Sequence, residues 1–99
     1  MTQERNIEAS AITALARHYP KVKAIKIHLP GYPDRLLILG GGRHIWVELK
    51  TRKTVEEPLQ TAVHKSLRAI GDTVVVCRKV REVLGAVAQE YRKLHLPPT

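Results

Sequence analysis

Apolar positions recur at helical spacing in three stretches of the chain and at strand spacing in four. Residues 3–19 read as an amphipathic helix, with Ile7, Ala11, Ile12, Leu15 and Tyr19 on one stripe and Pro20 ending it. Residues 22–29 alternate as a strand does, with Ile25, Ile27 and Leu29 on one side and Ala24, Lys26 and His28 on the other. Pro30-Gly31-Tyr32-Pro33 is a turn by composition. Residues 34–39 hold the unbroken run Leu36-Leu37-Ile38-Leu39, expected of a strand covered on both faces. Gly40-Gly41-Gly42 predicts a hairpin turn, and residues 43–50 the returning strand.

Residues 58–70 form a second predicted helix, with Leu59, Val63, Leu67 and Ile70 at helical spacing. Its start has two readings: Thr54 with Glu57 fits a capping box, and Pro58 fits the first helical position. Gly71 is the expected C-cap. Residues 73–77 are a short buried strand, and residues 79–95 a last helix carrying Val80, Val83, Leu84, Val87 and Tyr91, with Pro97-Pro98 beyond it.

The predicted order is α-β-β-β-α-β-α, an α/β fold with a small mixed four-stranded sheet flanked by helices. The helical crossover makes the fourth strand parallel to the third. At 99 residues the chain makes one domain, residues 1–99.

Chemistry concentrates at two places that the hairpin brings together: Pro33-Asp34 and Glu48-Leu49-Lys50. With a three-residue loop at Gly40 to Gly42, Leu39 pairs with Arg43 and Asp34 falls opposite Glu48. Opposed residues share a face with Cβ atoms about 4.5–5.5 Å apart. Lys50, two residues on, shares that face as well. Glu8 is a second anomaly, because it lies near the middle of the first helix's apolar stripe. A buried carboxylate needs a cation or a donor. Either it joins a metal site, or it pairs with a lysine or stays in solvent at the first turn.

Charge sharpens the picture. Lys and Arg number 17 against 9 Asp and Glu, for a formal net charge of +8. Such an excess favours polyanions through counterion release, and nucleic acid above membrane. Carboxylates repel phosphates unless a divalent cation stands between them, so an acidic pair in a basic chain points to metal-dependent cleavage of nucleic acid. Three converging carboxylates favour Mg²⁺ or Mn²⁺ over zinc. The five histidines lack zinc-ligand spacing, and Cys77, the single cysteine, reads as a buried structural thiol. No phosphate-binding loop is present, since Gly40-Gly41-Gly42-Arg43 precedes a strand. Neither a signal peptide nor a stretch of membrane-spanning length is evident, which predicts a cytoplasmic protein of a bacterial cell or phage-infected host with no membrane partner.

Gly31-Tyr32-Pro33-Asp34-Arg35-Leu36, Gly42-Arg43, Glu48-Leu49-Lys50 and Gln60 ahead of a helix together resemble the VRR-NUC domain. That is the virus-type replication and repair nuclease branch of the PD-(D/E)xK superfamily, with a restriction-endonuclease-like core. The resemblance runs from Glu8 to about Cys77. It implies Asp34, Glu48 and the backbone carbonyl of Leu49 as metal ligands, with Glu8 completing the site directly or through water. It further implies that Lys50 orients the attacking water and that Gln60 positions a ligand or that water. Tyr32 stands where a small aliphatic residue is expected, and a structural role is the reading favoured for it. The implied activity is Mg²⁺- or Mn²⁺-dependent hydrolysis of phosphodiester bonds in branched DNA, as in a homodimeric Holliday-junction resolvase. The alternatives are a flap or nicking nuclease of the same fold and a non-catalytic nucleic-acid binding module. Lys21, Lys23, Arg35, Arg43, Arg52 and Lys53 are the expected phosphate contacts flanking the site, and the last helix is a candidate dimer interface.

Overall fold

A computed structural model describes residues 3–51 and 55–94. The chain runs α1 (Gln3–His18), β1 (Lys23–Lys26), β2 (Arg35–Gly40), β3 (Arg43–Leu49), α2 (Pro58–Ala69), β4 (Thr73–Cys77) and α3 (Val80–Leu94). This is the α-β-β-β-α-β-α order that the hydrophobic pattern predicts. The four strands form one mixed sheet in sequence order, antiparallel from β1 to β3 and parallel between β3 and β4. A helical crossover, α2, makes the parallel pair possible.

Strand alternation divides the sheet into two unlike faces. Leu37, Leu39, Ile45, Val47, Leu49 and Cys77 point to one face, where α1 brings Ala11 and Leu15 and α3 brings Val83 and Val87. This is the core, and truncating a member such as Leu37 to Ala would cost about 2–5 kcal/mol. α2 covers the other face mainly over β4, where Leu67 of the helix and Val74 of the strand are both buried. Over β1 and β2 that face is open: Ile25 is 43% exposed and Ile38 36%. One expectation is corrected here: the run Leu36 to Leu39 is covered on one face only. In β1 the core-facing side is that of Ala24 and Lys26, and Ile25 lies on the open face. β1 is also shorter than the alternation implies, closing at Lys26.

The hairpin reaches the predicted register by a different route. Gly40, not Leu39, pairs with Arg43, which leaves a two-residue loop of Gly41 and Gly42, both at positive φ as tight hairpins require. Leu39 is then the extra residue of a bulge between Ile38 and Gly40. The shorter loop and the bulge cancel, so Ile38 pairs with His44 and Arg35 with Val47. One step further along the ladder sets Asp34 against Glu48.

α2 begins with Glu57 as N-cap and Pro58 at the first helical position, and Gln60 Oε1 accepts the Glu57 N–H at 3.2 Å. Thr54, the other candidate start, lies outside the described residues, as do Arg52, Lys53 and residues 95–99. At the helix end, Gly71 N–H donates to Arg68 O and Asp72 N–H to Leu67 O, both at 3.0 Å, the paired bonds of a Schellman motif. Gly31 fixes the approach of the β1–β2 connection to α2. Its φ is +77°, and a Cβ there would stand 2.6 Å from Leu59 Cγ. The apolar stripe of α3, expected as an interface, is spent on the core instead, with Val83 and Val87 buried and Val80, Leu84 and Tyr91 packed around them.

Candidate active site

Asp34 follows the buried Pro33 at the entry to β2, and Glu48 lies near the end of β3. Their backbones and side chains interlock. Asp34 N–H donates to Glu48 Oε1 at 3.1 Å, and Leu49 N–H donates to Asp34 Oδ2 at 2.8 Å. The second bond turns the Leu49 peptide edge toward the Asp34 carboxylate. Asp34 is half-buried, whereas Glu48 is 3% exposed and Lys50 5%, so the site opens to solvent on its Asp34 side.

α2 supplies the fourth side chain. Gln60, in the first turn, donates from Nε2 to Glu48 Oε2 at 2.9 Å and accepts at Oε1 from Lys50 Nζ at 2.8 Å. Lys50 Nζ is also 3.3 Å from Glu48 Oε2. Asp34, Glu48, Lys50 and Gln60 therefore form one hydrogen-bonded cluster on the α2 face of the sheet. Burial, and after it the Asp34 carboxylate alongside, pushes the Glu48 carboxyl above its ordinary value, and Lys50 offsets this only in part. Two carboxylates so placed, with one buried lysine against them, attract a cation.

Glu8 lies elsewhere. Its carboxylate accepts from Lys26 Nζ at 2.8 and 3.0 Å and from Arg35 Nε at 2.7 Å, on the α1 side of the sheet. Alternation explains the separation: Arg35 is next to Asp34 in the chain but points to the opposite face, with Lys26 beside it on β1. Burial works to raise the Glu8 carboxyl, but the bonds from Lys26 and Arg35 outweigh it and hold the group below its ordinary value. Among the described residues, no contact joins Glu8 to Asp34 or Glu48, and no group of three or more His, Cys, Asp or Glu is placed to hold a metal. The expectation that Glu8 completes the acidic site is thus replaced by its alternative, pairing with a lysine, to which the structure adds an arginine.

Among the described residues, the expected phosphate contacts are not gathered around the cluster. Arg35 is engaged by Glu8 and by Ala24 O. Lys23 pairs with Ile38, and Arg43 lies at the hairpin turn within 3.9 Å of Glu90, so both are toward the end of the sheet remote from Asp34. Lys21 is exposed between α1 and β1. Arg52 and Lys53 fall outside the described residues.

Sequence reasoning missed two features. His64, one helical turn beyond Gln60, is fully buried, and its spacing of four on α2 was the available signal. Asp72 accepts from Trp46 Nε1 at 2.9 Å and stands 3.2 Å from His44 Nε2, tying the end of α2 to β3. Tyr32 packs its ring 5.8 Å from that of Trp46, the structural role expected of it. Cys77 is buried, and burial followed by the Glu82 charge pushes its thiol up to about 11, as expected of an inert thiol. Among the described residues, no helix is long and apolar enough to cross a membrane. No family model matches the chain, and a search of curated proteins likewise gives no match.

Proposed function

We propose that this chain is a Mg²⁺- or Mn²⁺-dependent, structure-specific DNA endonuclease of the VRR-NUC type, acting as a homodimer on branched DNA and foremost on Holliday junctions. The observation that supports this reading is the single hydrogen-bonded cluster of Asp34, Glu48, Lys50 and Gln60 at one end of the sheet. The donor set suits a hard divalent cation. Two carboxylates and the Leu49 carbonyl are oxygen donors, and Mg²⁺ is commonly held by one or two carboxylates, with waters and substrate phosphate completing its shell.

When bound, the cation lowers the pKa of the attacking water and neutralises charge on the phosphate. The chain's own groups do the rest. Asp34 and Glu48 hold the cation, and the Leu49 N–H fixes the Asp34 carboxylate in position. Gln60 locks the Glu48 and Lys50 side chains in place. Lys50 orients the water and faces the negative charge that develops on the phosphate, a preorganised charge in a nearly dry setting. The net charge of +8 draws the polyanion in. A two-fold dimer would place two such sites on the two strands that junction resolution must cut. Ile25, Leu29 and Ile38 supply exposed apolar surface that a second copy would cover.

A cleavage panel tests this: a four-way junction, a flap, a nicked duplex and plain duplex, each with Mg²⁺, Mn²⁺ or EDTA. The expected result is metal-dependent cleavage with the four-way junction cut fastest. Preference for the flap or nick would reassign the substrate within the same chemistry. Binding that persists in EDTA, with no cutting under either metal, would replace the nuclease by a binding module.

A further inference from the structure

A DNA strand seated on the Asp34–Glu48–Lys50 cluster carries further phosphates on either side of the one that reacts, and each calls for a counter-charge. The basic residues on the β1 and β2 side of the site do not supply it. Lys26 and Arg35 are turned to Glu8 on the α1 face, and Lys50 is 5% exposed within the cluster.

The exit of β4 offers a cation on the other side. Leu49 pairs with Cys77, and Lys50 N–H donates to Cys77 O at 3.0 Å, so the β3–β4 ladder continues one step beyond the two strands. That bond sets the backbone of Arg78 beside that of Lys50, at the spacing of neighbouring strands, about 4.7–4.9 Å. The Arg78 side chain is exposed, and its Nη1 donates to Thr51 O, the carbonyl that follows Lys50. The backbone beneath it is fixed as well. Glu82 Oε1 accepts from Arg78 N–H at 2.6 Å and from Lys79 N–H at 3.0 Å.

A guanidinium presents five N–H donors in a planar fork that matches a phosphate. The bond to Thr51 O sets the plane of that fork before a ligand arrives, and such preorganisation lowers the cost of binding. Across the end of the sheet the order is then Asp34 at β2, Glu48 and Lys50 at β3, and Arg78 at β4.

We propose that Arg78 binds a phosphate next to the scissile one, anchored on Thr51 O, so that the cut strand runs across the sheet end from β2 over β3 to β4. The inference rests on the nuclease reading and deepens it. Because the phosphate held by Arg78 does not react, the contact is made equally in the ground and transition states.

The test uses the full chain and a labelled four-way junction. Binding is measured across NaCl concentrations with Ca²⁺ in place of Mg²⁺, and cleavage in Mg²⁺. Arg78→Gln should reduce the slope of log Kd against log salt by about 0.9, the value of one phosphate contact. It should also raise KM about tenfold, the scale of a hydrogen bond to a charged group, with kcat near the parent's. Lys93→Gln, whose lysine pairs with Glu90 at the hairpin end of the sheet, is the control and keeps the parent slope and KM. A parent slope and KM in Arg78→Gln overturn the proposal while leaving the nuclease reading intact. A fall in kcat with KM and slope unchanged, the mark of a structural role, overturns it as well. Should Arg78→Gln fail to fold, Arg78→Lys carries the test: it keeps the charge and the slope, and its KM must exceed the parent's. A parent chain that neither binds nor cuts the junction overturns the nuclease reading and this proposal together.

Discussion

The two faces of the sheet each hold a glutamate close to the Asp34–Arg35 dipeptide, and their surroundings drive them in opposite directions. On the α1 face, Glu8 is clamped by Lys26 and Arg35, which hold it below its ordinary value despite burial. On the α2 face, Glu48 is more deeply buried beside a second carboxylate, with Lys50 as its one cation among the described residues, and its value is raised. Glu8 is a neutralised structural pair. Glu48 is under-compensated, and an added cation would relieve it. Sites are built where charge is left incompletely balanced, and this contrast distinguishes them better than sequence position does.

The largest effect that would break this comparison is on cleavage. Asp34→Asn, Glu48→Gln and Lys50→Ala should each lower kcat/KM on a four-way junction by at least about a hundredfold. Glu8→Gln should leave it near the parent value, measured under the same Mg²⁺ concentration. Next in size is the response of stability to metal. Cation binding to the folded state alone adds about 2.7 kcal/mol at a hundred times Kd, read as a rise in Tm on adding Mg²⁺. The rise should persist in Glu8→Gln and vanish in Glu48→Gln.

A smaller effect concerns stability without metal. Glu8→Gln should cost about 1 kcal/mol, the upper range for a partly exposed ion pair, in a urea titration at neutral pH. Because the Glu8 value is depressed on folding, its contribution is present above about pH 4.5, the ordinary value, and disappears as pH falls through the folded value. The difference between parent and Glu8→Gln should therefore close in acid. Glu48 has the opposite sign. Its raised value means the folded state holds the proton more tightly, so stability is full below about pH 4.5 and is lost as pH rises through the folded value. Glu48→Gln should melt above the metal-free parent at neutral pH, and that gap too should close in acid.

Local pattern carried the element order and the facing of Asp34 and Glu48, because alternation and loop length are properties of adjacent residues. The register survived an incorrect loop, since the bulge at Leu39 restored the parity that a two-residue turn would have reversed. What alternation does not tell is which face a helix will cover. Hence alternation separates Ile25 from Ala24 in β1 without saying which of them is inward, and Ile25 is on the open face. Glu8 was legible as a buried charge in need of a partner, but its partners come from β1 and β2, eighteen and twenty-seven residues away. Arg35 and Arg43 could have been separated from Asp34 on paper, since parity sends both to the α1 face. His64 was on the right side of the α2 wheel, yet only tertiary packing reveals that both nitrogens are sealed from water.

The most direct measurement is cleavage of a labelled four-way junction in Mg²⁺ by the parent, Glu48→Gln and Glu8→Gln, with EDTA as control. The account predicts cutting by the parent and Glu8→Gln, none by Glu48→Gln, and none in EDTA. Cutting by Glu48→Gln at the parent rate would contradict it.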